Sequence, residues 1–128
     1  MKKTFWSELS FWIHTPFFIL FILPFFISSS LWSSREIFHF GYISFVISVN
    51  FFLGIFIYSK TGAFELACPL TSLTQKLRGY SFYDEKNYKH SFVGEIFERF
   101  RIKKVNLKLV NGILLVLYLY IIINLFVF

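Results

Sequence analysis

Cysteine occurs once in the 128 residues, at Cys68, methionine once, proline three times and glycine six times. A single thiol excludes an intrachain disulfide and is ordinary for a protein facing a reducing cytoplasm. The chain has no phosphate-binding loop, no dinucleotide fingerprint and no Gly-x-Ser-x-Gly. Acidic residues number seven against 13 lysines and arginines, a net charge of +6. Glu65, Asp84, Glu85, Glu95 and Glu98 compose no metal or acid–base motif. Glu95 and Glu98 stand three apart beside Arg99 and Arg101, which reads as a solvated ion-pair face. No charge falls in the middle of a long apolar run, which argues against an ion pathway, a proton relay or a voltage sensor.

Apolar side chains are abundant instead. Hydrophobic residues make up 56% of the chain, Phe alone contributes 20, and the mean hydropathy is +0.63. A soluble protein of this length buries only about two-thirds of its chain surface, so the excess must face lipid. Three runs have the roughly 20 apolar residues that a membrane helix needs, at 11–32, 37–58 and 107–128. None alternates with period two, which favours helices over a barrel. The fold class expected is therefore all-α: one integral membrane domain with three transmembrane helices. The first run has the outline of a secretory signal. Its long apolar core, Glu8 ahead of it and Pro24 within it predict a retained helix, kinked near Pro24. Pro16 falls in about its first turn, where a proline costs less.

Charge sets the expected orientation. Lys2 and Lys3 precede the first run, and the connection 59–106 carries nine lysines and arginines from Lys60 to Lys104. The positive-inside rule puts both on the cytoplasmic side of an inner membrane and leaves Phe128 outside. Trp12 and Trp32, about 30 Å apart along one helix, would mark the two interfaces. Topology thus accounts for the positive charge, and no nucleic acid is needed to explain it. The connection itself predicts two short amphipathic helices. Pro69 opens the first, Leu70, Leu73 and Leu77 stripe it, and Gly79 ends it. Ser91 caps the second, "FVGEIFERFRI", after a polar loop. Both would lie on the cytoplasmic surface, drawn to anionic lipid headgroups.

Cys68 has two readings: a nucleophile or haem-binding thiolate in a basic setting, or a small packed residue at a helix boundary. His14 and His39 sit near opposite ends of their runs, about 25 Å apart on straight helices, so they cannot share one iron. His14 and His90 are weak metal candidates, and a site joining His14, Cys68 and His90 stays open. Nothing in the sequence calls for a cofactor. Within the runs, Gly41, Ser44 and Ser48 form a small-residue strip for close helix contact. Asn50 and Gly54 lie on another face, with Asn50 at the depth expected for Tyr118, which predicts that the two hydrogen-bond or share a water.

The segment "CPLTSLTQKLRGY", a polar loop, "SFVGEIFERF" and a terminal apolar helix together resemble a family of small bacterial membrane proteins, domain of unknown function 2784. The match rests on His14, the motif Cys68, Pro69, Leu70 and Thr71, then Leu73, Leu77-Arg78 and Ser91-Phe92. Members often carry proline and glutamate after the threonine, where this chain has Ser72 and Thr74, and a histidine where it has Glu95. The resemblance implies a three-span topology and no substrate. The function expected is a structural, interaction or regulatory membrane protein acting through its basic segment on lipid, a membrane partner or a second copy. The rivals are a membrane enzyme or redox protein centred on Cys68, and an oligomeric transporter or immunity-type subunit.

Overall fold

The computed structural model describes residues 3–102 and 106–127, so the expectations placed on Lys2, Lys103, Lys104 and Phe128 lie outside the described residues. Every regular element among them is helical: α1 Phe5–Ile22, a 3-10 turn Leu23–Phe25, α2 Arg35–Thr61, α3 Pro69–Leu77, α4 Glu85–Tyr88, α5 Phe92–Arg99 and α6 Leu107–Val127. Three stretches, Phe5–Phe25, Arg35–Thr61 and Lys108–Val127, are long and apolar enough to cross a membrane.

The first helix begins six residues earlier than its apolar run. Thr4 and Ser7 form a reciprocal cap, the Thr4 hydroxyl accepting from the Ser7 amide and the Ser7 hydroxyl accepting from the Thr4 amide. Such caps are worth about 1 kcal/mol. Glu8 is therefore helical, and Pro16 lies inside the helix rather than in its first turn. Pro24 does not kink a continuous helix: α1 stops at Ile22 and Pro24 sits in the 3-10 turn. Trp32 follows in the connection to α2, so Trp12 and Trp32 do not share one helix.

The second helix ends on Gly62, whose φ of +74 is the left-handed conformation that glycine adopts most cheaply. The chain then folds back along the helix it has just left. The Phe64 ring lies 5.6 Å from that of Phe51, and Gly54 passes so close that a methyl group there would stand 2.7 Å from the Glu65 carbonyl oxygen. Cys68, in extended conformation, turns the chain into α3, and Pro69 supplies the fixed φ of a first helical turn.

Helix α3 returns antiparallel to the N-terminal half of α1. Thr71 meets His14, Thr74 meets Ser10 and Arg78 meets Glu8, in that order along the helix. Its faces are the reverse of the surface helix expected. Thr71, Ser72, Thr74 and Gln75 are buried, whereas Leu73 and Leu77 are 43% and 38% exposed. The polar stripe at spacing 71, 74, 75 and 78 is the one that packs. Gly79, at φ +98, ends the helix. Asp84 caps the short α4, its side chain accepting from the Lys86 amide, inside what the sequence presents as a loop. Ser91 caps α5 by accepting from the Gly94 amide at 3.1 Å.

Helix α6 packs on α2. The Tyr118 hydroxyl bonds the Ser44 hydroxyl at 3.1 Å, not Asn50 as expected. Ser44 lies six residues from Asn50, about 9 Å along the helix, so the register of α6 differs by nearly two turns from the one inferred. Of the small-residue strip, Ser44 is bonded to another helix. Ser48 donates to the Ser44 carbonyl, and Gly41 has open space around it.

Candidate functional site

Two polar clusters lie where α3 and α5 close on α1. The larger is an ion network. Arg78 donates from Nη1 and Nη2 to the two carboxylate oxygens of Glu95, both at 2.7 Å, and from Nη2 to Glu8 at 3.3 Å. Arg99 grips Glu8 with two nitrogens, at 2.7 and 3.0 Å, and reaches Glu95 Oε1 from Nε and Nη2 at 3.0 and 2.6 Å. His90 completes it, 2.8 Å from Glu95 Oε2. A carboxylate only accepts, so Nε2 of His90 carries the proton. Phe11 packs under the network, its ring centroid 4.0 Å from the Arg99 guanidinium.

Two guanidiniums face two carboxylates, so the charges of the largely buried network balance. That balance is required, because an unpaired ion in such a place is far costlier than a paired one. Burial alone would push the Glu95 carboxyl up, but hydrogen bonds from His90, Arg78 and Arg99 outweigh it and hold the group well below the usual carboxylate range. The bond to Glu8, opposed by burial and helped by Glu95, holds Arg99 charged beyond its ordinary range. The solvated face expected for Glu95 is thus corrected: its side chain is 4% exposed. Adjacent polarity cannot tell a sequence reader which side of a helix faces a partner.

The smaller cluster surrounds His14. Its Nε2 lies 3.5 Å from Cys68 Sγ and its Nδ1 3.4 Å from Thr71 Oγ1. Its ring stacks on Phe92 at 3.9 Å between centroids. Thr74 Oγ1 donates to the Leu70 carbonyl, so in its 2.9 Å contact with Ser10 it must be Ser10 that donates. A thiol, an imidazole and a hydroxyl in line have the composition of a nucleophile, its base and the group that orients the base. His14 and Cys68 are therefore brought together, while His90 is taken into the ion network.

At the other end of the molecule His39 is buried and donates from Nε2 to the Phe21 carbonyl at 2.8 Å. Among the described residues no three His, Cys, Asp or Glu side chains converge as metal ligands. Sequence reasoning missed Glu8, Ser10 and Gln75. The signals for them were the Thr-x-x-Ser cap that starts α1 early and the polar stripe of α3. Compared with family models, with curated proteins and with solved structures, the chain matches none.

Proposed function

We propose that this chain is a multi-pass inner-membrane protein of the structural or interaction class, with its N-terminus and residues 59–106 toward the cytoplasm. Residues 62–77 are a re-entrant segment: an extended leg descends beside α2 and α3 climbs back beside α1. One observation carries this reading, the inverted polarity of α3, with threonine, serine and glutamine buried and Leu73 and Leu77 outward. In water that arrangement exposes oil and hides hydrogen-bonding groups. In lipid it is what a stable helix requires, since irregular backbone at membrane depth is tolerated only against protein. Membership of the domain of unknown function 2784 family belongs to the same proposal and rests on the Cys68 to Thr71 motif and the three-span plan.

The class follows from how the polar groups are used. Arg78, Arg99, Glu8 and Glu95 serve one another, which fixes a rigid cap on α1. Lys60, Lys76 and Lys86 remain exposed for anionic headgroups, and the outward apolar faces of α2 and α6 for lipid or other membrane helices. The test is a photo-crosslinking residue placed at position 73 in native membranes. Adducts with phospholipid or with a membrane protein are expected there. Reaction only with soluble proteins, or release of the chain by alkaline washing, would overturn the reading.

A second reading, a thiol enzyme centred on Cys68, is favoured by the His14 contact, which supplies the base that the sequence did not locate.

A further inference from the structure

Between the last turn of α3 and the short α4 lies an open cleft of about 360 Å³, lined by Gln75, Tyr80, Glu85, Lys86, Lys89 and His90. Gln75 is the fully buried member of that lining. The residue is 0% exposed, and neither its Oε1 nor its Nε2 has a hydrogen-bond partner among the described residues. A buried amide with no partner is rare, because both a donor and an acceptor have lost water for nothing. The neighbouring Asn87 is half satisfied: its Nδ2 donates to the Ser72 and Tyr80 carbonyls, both at 3.1 Å, while its Oδ1, like the Gln75 amide, has no partner among the described residues.

The rim differs in kind from Gln75. Lys86 holds its ammonium 5.7 Å from the Tyr80 ring centroid, and Lys89 pairs with Glu85 at the surface. Two ammoniums against one carboxylate leave the mouth positive. His90 is already committed through Nε2 to Glu95. A cationic mouth over a neutral donor–acceptor pair suits a particular ligand. The oxyanion sits among the lysines, and once the rim side chains part to uncover the buried amide, an adjoining hydroxyl accepts from Gln75 Nε2 while donating to Oε1.

We infer that this cleft binds a phosphate ester bearing a free hydroxyl. Two sources share that chemistry, the glycerol phosphate headgroup of an anionic phospholipid and a soluble polyol phosphate. The headgroup source rests on the membrane reading above. It is favoured by place: Tyr83, in the loop that borders the cleft, packs against Phe56 near the end of α2, with ring centroids 5.8 Å apart.

The experiment is thermal unfolding of the purified full chain in neutral detergent, titrated with short-chain phosphatidylglycerol, short-chain phosphatidylcholine or glycerol 3-phosphate. Phosphatidylglycerol is expected to raise the melting temperature where phosphatidylcholine does not. Gln75→Leu should melt no lower than the parent without ligand, yet bind about tenfold more weakly. Lys86→Gln, on the exposed rim, should weaken binding several-fold and decides the matter if Gln75→Leu does not fold. An equal response to glycerol 3-phosphate upholds the cleft and assigns a soluble ligand. The inference is overturned if neither ester shifts the parent beyond phosphatidylcholine, or if the foldable variants respond as the parent does, which would leave water alone beside Gln75. Loss of the membrane reading would appear separately, as release of the chain by alkali while glycerol 3-phosphate still binds.

Discussion

Arg78 and Glu95, 17 residues apart, are joined by two bonds of 2.7 Å, with their side chains 0% and 4% exposed. The pair ties the end of α3 to α5, and Glu8 and Arg99 tie both to α1. Removing the Glu95 carboxylate leaves the buried Arg78 and the partly buried Arg99 sharing Glu8. Breaking such a pair costs about 3–5 kcal/mol. Glu95→Gln should therefore lower unfolding stability by about 3 kcal/mol, read by denaturant or thermal unfolding in detergent. Glu98→Gln, exposed on the same helix, should stay within about 0.5 kcal/mol of the parent. Equal effects of the two substitutions would mean that the network contributes nothing.

Acid should act through the same carboxylate. Glu95 is held below its ordinary range because the bonds from His90, Arg78 and Arg99 outweigh the effect of its burial. A depressed native value means that the unfolded chain binds protons first as pH falls. The stability this group confers is complete above the ordinary glutamate value of about 4.3 and drains away below it. Melting temperature measured from about pH 7 to about pH 3 should hold level and then fall, and Glu95→Gln should flatten the fall. An unchanged acid limb in the variant would place the proton uptake elsewhere.

Local signals were readable, and register was not. Pro69, Gly79 and Ser91 mark the ends of α3 and the start of α5 because each acts on its own backbone. The start of α1 was readable too, in Thr4 and Ser7, but lay outside the apolar run that draws the eye. The ion network joins Glu8 to Arg99 across 91 residues, a pairing that no local spacing encodes. The same holds for Tyr118, whose partner depends on how far α6 slides along α2. The inversion of α3 was hidden for another reason. An amphipathic stripe states that two faces differ, and it takes a neighbour to say which one is inside.

Gly54 should be the least replaceable glycine in α2. A methyl group there would lie 2.7 Å from the Glu65 carbonyl oxygen and 3.1 Å from the Phe64 ring, so backbone must shift. Gly54→Ala should destabilise by about 1–3 kcal/mol, the usual cost of overpacking. Gly41→Ala, with nothing within 4 Å, should be neutral or gain up to about 1 kcal/mol from helix propensity. Thermal unfolding of the two variants side by side checks the fold-back of residues 62–68, because only that path makes the two glycines differ.

Cys68 and His14 offer the sharpest division between the two functional readings. With Nε2 at 3.5 Å from Sγ and Nδ1 at 3.4 Å from Thr71, the imidazole is placed to take the thiol proton. Its stacking on Phe92 fixes the ring plane, so a phenylalanine at position 14 should preserve the packing while removing the base. If the thiol is a working nucleophile, alkylation of Cys68 by a membrane-permeant maleimide should slow about tenfold or more in His14→Phe, with the melting temperature little changed. If the cluster only packs, the labelling rate of the parent should already match that of a half-buried cysteine without a base, and His14→Phe should leave it unmoved. Measuring rate and melting temperature on the same samples separates lost chemistry from lost structure. A slow parent thiol, indifferent to His14, would remove the enzyme reading and leave Cys68 as the hinge where the chain turns back along α1.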